Sequence, residues 1–144
     1  MEKSVASKLS PAWVLLVVGA MVWWASVGSH DFRAHDYDIS EVDVTRAHAM
    51  IDAGAIVIDA RSESSYGGRH IPGAMLIPLA VLRAGIPLDL LALREREIVV
   101  YCNKGRHIGP EATHLLNEAG FARAVNLESG IEGWAAAGQP VEGS

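Results

Sequence analysis

The sequence offers little material for cross-links or for a broad basic surface. Its 144 residues contain one cysteine, Cys102, and a lone thiol cannot form the internal disulfides that hold small secreted domains together. Its formal net charge is -5 at pH 7, which excludes a general affinity for nucleic acid or for anionic membranes. No internal repeat or low-complexity tract is present, so repeat architectures are excluded as well. Any anion-binding site in this chain must therefore be local.

Charged residues are also missing from a long stretch near the N-terminus, between Lys8 and His30. Residues 11–28 within it are apolar and, at about 1.5 Å per helical residue, nearly match a hydrocarbon core of about 30 Å. We predict a transmembrane helix there, with tryptophans toward both of its ends. A cleaved secretory signal is the alternative, because Ser26-Val27-Gly28 is a fair match to an Ala-x-Ala-like cleavage site.

The charges that flank this segment predict its orientation. Lys3 and Lys8 precede it, whereas the stretch that follows has Arg33 against three aspartates. By the positive-inside rule, the rest of the chain is expected outside the cytoplasm, in the periplasm if the source is a Gram-negative bacterium. The sequence thus divides into a basic segment (1–10), the transmembrane or signal segment (11–28), a polar spacer (29–38) and a single domain (39–144).

The predicted domain alternates between strand and helix patterns. Its strand candidates are short apolar runs rich in β-branched residues, as in strands that are buried on both faces of a sheet. They lie at 55–60, 75–77, 97–102 and 122–127. Helix candidates, recognised by apolar spacing and capping residues, lie at 44–53, 62–66, 79–84, 88–93, 109–119 and 130–138. This alternation predicts an α/β fold with a mainly parallel sheet and helices on both faces.

Cys102 ends the third of these strands, and the residues after it are polar, basic or glycine. In parallel sheets, ligands bind beyond the carboxyl ends of strands, next to helix N-termini. Gly105 permits the positive φ of a tight curl, whose backbone N–H groups form an anion-binding nest, and Lys104, Arg106 and His107 add positive charge. We therefore predict Cys102 as the nucleophile, with no metal and no cofactor. The predicted binding residues are Asn103, Lys104, Gly105, Arg106 and His107.

The chemistry of this site depends on the thiolate form of Cys102. A free cysteine has a pKa of about 8.5, so only about 3% is thiolate at pH 7. Helix N-termini and neighbouring cations lower such a pKa to between about 3.5 and 7.5, and we expect the same here. The alternative is a buried cysteine that acts only as a small hydrophobic residue. The polar and basic residues that follow Cys102 favour the reactive interpretation.

Five ordered motifs resemble the rhodanese family of sulfurtransferases. They are VIDAR (57–61), GRHIPGAMLIPL (68–79), IVVYCNKGRH (98–107), LLNEAGF (115–121) and VNLESGIEGWAAAGQPV (125–141). The resemblance implies a five-stranded parallel sheet with helices on both faces. It also implies that Cys102 attacks the outer sulfur of a donor such as thiosulfate, releases sulfite, and passes the persulfide sulfur to a thiol, cyanide or another acceptor. Related phosphatases need an arginine where Ile108 stands, so phosphatase activity is not expected.

Two positions depart from the family pattern. Single-domain members usually end this loop with arginine, where this chain has His107, and Arg106 stands one position earlier. Ser129 replaces the first glycine of a Leu-x-Gly-Gly segment near the loop. These departures leave open a second function, a rhodanese-like module that carries sulfur or binds a protein with little turnover. Asp59 and Arg61 are interpreted as a charged pair that braces the end of a strand.

Overall fold

A computed structural model describes residues 37–144. Within this range, no helix is long and apolar enough to cross a bilayer. The predicted basic segment (1–10) and transmembrane or signal segment (11–28), with most of the predicted spacer, lie outside the described residues.

The described residues form a parallel sheet with helices between its strands. The strands are β1 (Glu41–Val42), β2 (Ile56–Asp59), β3 (Met75–Leu76), β4 (Ile98–Tyr101) and β5 (Ala124–Leu127). They pair in the order β1-β5-β4-β2-β3, and every pairing is parallel. The helices are α1 (Val44–Asp52), α2 (Glu63–Gly68), α3 (Leu79–Ala84), a 3-10 helix (Leu88–Leu93), α4 (Ile108–Glu118) and α5 (Gly130–Ala136). The predicted five-stranded α/β fold is confirmed.

Helices cover both faces of the sheet, because successive strand side chains point to opposite sides. On one face, Ile58 and Val100 pack with residues of α3, the 3-10 helix and α4, such as Leu116. On the other face, Val99 packs with residues of α1 and α5, such as Trp134. The central strands β2, β4 and β5 therefore lack an exposed face, which explains why their sequences are mainly apolar.

Two local predictions were wrong. The two-residue strand β1 was missed, since Glu41 and Val42 are too short a run to show a strand pattern. Gly67-Gly68 was expected to break α2, but both glycines lie inside it. A helical glycine costs only about 1 kcal/mol, and the helix ends where His70 exchanges two backbone hydrogen bonds with Glu142 (2.7 and 2.8 Å).

The sheet brings two strand ends together at its carboxyl edge. β2 and β4 are neighbours, and Asp59 is in register with Tyr101. The residues that follow each strand, Ala60-Arg61 and Cys102-Asn103, therefore leave the sheet side by side. This edge holds all the predicted site residues.

Candidate active site

Cys102 lies between the end of β4 and the first turn of α4. Its thiol is free and only 4% of the residue is exposed. The backbone N–H of Gly105 donates a hydrogen bond to its Sγ over 3.2 Å. A methyl group built on Gly109 would lie 3.4 Å from the same sulfur and would overlap the side-chain oxygen of Asn126. Glycine at 109 therefore leaves room for the Asn126 side chain next to the sulfur.

Gly105 is the buried turn of the loop 102–107, which we call the cysteine loop. Its φ is +72°, as the sequence predicted. A side chain at this position would overlap the backbone carbonyls of Leu127 and Glu128. Both the left-handed conformation and the close approach to β5 therefore require glycine.

Three carbonyl groups of the cysteine loop point outward and are bound. The carbonyls of Cys102 and Asn103 accept hydrogen bonds from the N–H groups of Ile131 and Glu132, at 2.9 and 3.0 Å. The Gly105 carbonyl accepts one from Asn126 Nδ2, at 2.9 Å. The start of α5 and the end of β5 therefore hold the loop by its carbonyl side.

The N–H groups of the same peptides face the other way. In a trans peptide the C=O and N–H point in opposite directions, and all peptide bonds described are trans. The bound carbonyls of Cys102, Asn103 and Gly105 thus direct the N–H groups of Asn103, Lys104 and Arg106 away from α5 and β5. None of these three N–H groups has an acceptor within residues 37–144. Together with the Gly105 N–H on Sγ, they form the kind of nest that binds anions.

The basic side chains of the loop are exposed beside the thiol. A cavity of about 240 Å³ lies against Cys102, and Lys104, Arg106, Ile108 and Glu132 are among its lining residues. Neither Lys104 nor Arg106 forms an ion pair in the part of the chain that the structure describes. An anion that enters this cavity therefore meets two cations without an ion-pair partner among residues 37–144, together with the carboxylate of Glu132.

The predicted loop residues are brought together, but their side chains differ in what they contact. Asn103 Oδ1 accepts a hydrogen bond from Arg61 Nη1 at 3.0 Å, so this side chain joins the loop to the end of β2. His107 is exposed at the N-cap of α4 and makes no capping hydrogen bond. No cluster of three or more metal-ligating side chains occurs among residues 37–144.

Asp59 and Arg61 form a buried ion pair, and this supports their interpretation as a brace. The guanidinium donates to both carboxylate oxygens, at distances from 2.6 to 3.2 Å, and also to the Arg69 carbonyl at 2.6 Å. Burial lowers the pKa of Arg61, but its hydrogen bonds and charge interaction with Asp59 raise it by more, so the guanidinium stays charged. Its stacking over the Tyr101 ring, 5.4 Å from the centroid, adds a further contact with β4.

Ser129, which replaces a glycine of the family pattern, is accommodated without backbone strain. Its φ is -99°, which any residue adopts, whereas the next residue, Gly130, has φ +57°. A side chain on Gly130 would come within 2.5 Å of the carbonyls of Cys102 and Asn103. The glycine that the cysteine loop needs is therefore Gly130, and it is present. The Ser129 side chain occupies the space that Gly133 leaves open.

Asn126 also belongs to the site, although it is not among the residues predicted from the sequence. This residue is fully buried in β5, and its amide holds the Gly105 carbonyl. A polar amide inside the apolar run AVNL was the available signal, because buried polar side chains are rare unless they are hydrogen-bonded.

The fold and the loop define an α/β domain with a single cysteine in an amide-rich loop at a strand end. Comparison with protein families agrees, since residues 43–137 match the rhodanese-like domain. The chain belongs to the rhodanese-like family.

Similar proteins include known and probable sulfurtransferases. The thiosulfate sulfurtransferase GlpE of Stutzerimonas stutzeri is 29% identical over 99 residues, which are 67% of this chain and 85% of GlpE. The probable adenylyltransferase/sulfurtransferase MoeZ of Mycobacterium tuberculosis is 38% identical over 84 residues, 58% of this chain. This chain spans only 21% of MoeZ. The human single-domain sulfurtransferase TSTD1 superposes with a TM-score of 0.59 at 27% identity, over 67% of this chain and 95% of that one. At the level of the family, these relatives support a sulfurtransferase-type role.

Proposed function

We propose that this protein transfers a sulfane sulfur from a small anionic donor such as thiosulfate to a thiol or cyanide acceptor, through a persulfide on Cys102. The observation that carries the proposal is the Gly105 N–H bound to Sγ, beside three N–H groups that have no acceptor in the described part of the chain. Such a set of donors stabilises a sulfur anion before and after the transfer. The family of the chain agrees with this chemistry.

The reaction consists of two displacements on sulfur. The Cys102 thiolate attacks the outer sulfur of thiosulfate, a new S–S bond forms, the old one breaks, and sulfite leaves with its electron pair. The acceptor thiolate or cyanide then attacks the outer sulfur of the persulfide and releases the Cys102 thiolate. In both steps the attacked outer sulfur and the leaving group carry negative charge. The same N–H donors of the cysteine loop therefore serve both steps.

Thiosulfate is the donor that the charges of the loop favour. Lys104 and Arg106 line the cavity at Cys102 and have no ion-pair partner among residues 37–144. Glu132 lines the same cavity, and its carboxylate limits the attraction of a dianion. Moderate affinity for thiosulfate is the expected result.

Mass spectrometry of the Cys102 peptide tests this proposal. Incubation of the reduced protein with thiosulfate should add one sulfur atom to that peptide, and a thiol acceptor should remove it. Cys102→Ser is the control and should show no adduct. Absence of the adduct in the wild-type protein, or an equal adduct in the control, overturns the proposal.

A module with little turnover is the competing function, and His107 is the observation that favours it. This side chain stands at the end of the loop where relatives usually have arginine, and it makes no capping hydrogen bond within residues 37–144. His107→Arg separates the two functions. Little change in thiosulfate turnover supports the enzyme as proposed, whereas a large gain from a near-zero rate supports the module.

We also propose that residues 11–28 anchor the domain to a membrane and that the domain faces the extracytoplasmic side. The apolar segment and the lysines that precede it support this arrangement. Protease accessibility in intact spheroplasts tests the side, and N-terminal sequencing tests whether the segment is cleaved. A protected domain would contradict the proposed side.

A further inference from the structure

Asn126 is a fully buried polar side chain that contacts the cysteine loop and a sheet edge at once. Its Nδ2 donates to the Gly105 carbonyl at 2.9 Å and to Glu41 Oε1 of β1 at 2.6 Å. These two bonds use both amide hydrogens and determine which way the amide faces. Its Oδ1 is buried and has no hydrogen-bond partner among the described residues.

This arrangement is not the one that stability alone would favour. A buried carbonyl oxygen without a donor destabilises the fold, and an apolar side chain in its place would avoid that cost. The neighbours of Asn126 along β5, Val125 and Leu127, are apolar. The hydrogen bonds that Nδ2 donates, and not the packing of the side chain, therefore explain why an amide stands at this position.

The contact with Gly105 determines the direction of one anion-binding N–H. Because the peptide between Gly105 and Arg106 is trans, a carbonyl held toward β5 directs the Arg106 N–H away from β5. The other two outward carbonyls of the loop are held by backbone N–H groups of α5. Among residues 37–144, Asn126 is the one side chain that donates to a backbone carbonyl of the loop 102–107.

We propose that Asn126 is a positioning residue that orients the Arg106 N–H for the sulfur donor, with Glu41 steadying its amide. The inference rests on the proposed role of Cys102 as the sulfur carrier. It assigns Asn126 no contact with the substrate. Its loss should weaken the reaction with an anionic donor more than the reaction with a neutral reagent.

Asn126→Leu is the direct test, since leucine has a similar size and no donor. The rate of persulfide formation at subsaturating thiosulfate should fall about tenfold or more, as for loss of one preorganised donor. Alkylation of Cys102 by neutral iodoacetamide should fall much less. The measured quantity is the ratio of the two rates, each followed by mass spectrometry on the full chain.

Asn117→Leu is the matched control. Asn117 Nδ2 also donates to two backbone carbonyls, those of Phe121 and Ala124 (2.9 and 3.2 Å), but these lie before β5 and at its first residue. Melting temperatures show that both variants fold, and only Asn126→Leu should change the rate ratio. An equal ratio in the two variants would falsify the inference.

Substitutions of Glu41 provide a second test, which can be carried out even if the Asn126 variant is unstable. This residue is exposed on the edge strand, so its substitution leaves the core intact. Glu41→Leu removes the acceptor for Nδ2 and should lower the rate ratio in the same direction, by less than Asn126→Leu. Glu41→Gln retains an acceptor oxygen and should restore the ratio.

The outcomes separate this inference from the proposed function. A wild-type Cys102 that reacts with neither reagent overturns the proposed function itself. A wild-type protein that reacts with both, while the Asn126 and Glu41 variants keep its rate ratio, overturns only the role of Asn126.

Discussion

The carboxyl ends of β2 and β4 lie side by side, but their charged side chains differ in burial and in pairing. After β2, the guanidinium of Arg61 is buried and bonded to Asp59, to a backbone carbonyl and to Asn103. After β4, Lys104 and Arg106 are exposed and form no ion pair within residues 37–144. The first end is a scaffold whose charges are neutralised by the protein. At the second end, the cations and the N–H groups have no neutralising partner in the described part of the chain.

The two ends are linked through Asn103. Its side chain accepts from Arg61, while its backbone carbonyl accepts from the start of α5. The buried pair therefore also positions the first residue after Cys102. Perturbing the scaffold should cost mainly stability, and perturbing the loop should cost mainly reactivity.

Arg61→Met should produce the largest loss of stability. It leaves Asp59 buried without its cation, which typically costs about 3 to 5 kcal/mol of the free energy of unfolding. Urea unfolding measures the change. Arg83→Met is the control, because it removes an exposed pair with Glu111 whose distances are equally short (2.6 and 2.7 Å). A loss no larger than in that control would show that the buried pair is not a brace.

Gly105→Ala should produce the second-largest loss of stability and should also abolish persulfide formation. The new methyl group meets backbone carbonyls at the end of β5 and requires a left-handed conformation, at a combined cost of about 3 kcal/mol. Gly73→Ala is the control, since its φ of +74° is almost the same but no atom lies within 4 Å of the new methyl. That variant should lose only about 1 to 2 kcal/mol. Similar losses in both would mean that the close approach to β5 is unimportant.

Tyr101→Phe should destabilise the scaffold by about 1 to 3 kcal/mol at neutral pH, because the phenol oxygen accepts the buried Ile71 N–H at 3.1 Å. Burial raises the pKa of Tyr101 above its usual range. In the unfolded chain this phenol ionises near pH 10, whereas in the folded protein it stays neutral to a higher pH. The stability that Tyr101 contributes is therefore present below about pH 10 and is lost as the pH rises above that value. The free energies of unfolding of the wild-type protein and of Tyr101→Phe, measured from pH 7 to 11, should therefore converge. A constant difference across this range would contradict the assignment.

Ser129→Gly should have the smallest effect on stability, within about 0.5 kcal/mol. It removes a buried hydroxyl that has no hydrogen-bond partner among the described residues, but it adds backbone freedom. Thiosulfate turnover should stay the same. Gly133→Ala should be clearly worse, because its methyl group overlaps the Ser129 side chain, and the double variant should recover the loss. Thermal unfolding of the three variants measures this compensation. A marked gain in turnover from Ser129→Gly would revive the idea that Ser129 limits activity.

Most of the fold was predictable because its patterns are local. Helix α3 has its predicted limits, Leu79–Ala84, and α1 begins at its predicted first residue, Val44. Its N-cap is Asp43, whose side chain accepts the Arg46 N–H at 2.7 Å. Capping and spacing depend on neighbours in sequence, so they are readable without the tertiary structure. Strand β1 was unreadable, since its two residues are a strand only because they pair with β5.

The position of the candidate site was predictable from the sequence, but the hydrogen bonds that hold its loop in place were not. The strand before Cys102 and the glycine and cations after it predicted a loop with a positive φ at Gly105, and the structure has one. Which groups hold the loop carbonyls was hidden, because Ile131, Glu132 and Asn126 lie more than twenty residues further along the chain. Long-range contacts of this kind leave no local pattern.

The sequence by itself determined that one thiol would stand at the end of a buried strand among glycine and basic residues, because strand patterning and turn chemistry are properties of short segments. The tertiary structure alone decided which peptide groups face that thiol. A peptide whose carbonyl is bound on one side turns its N–H toward the opposite side. Here those bonds come from α5 and from a buried amide in β5.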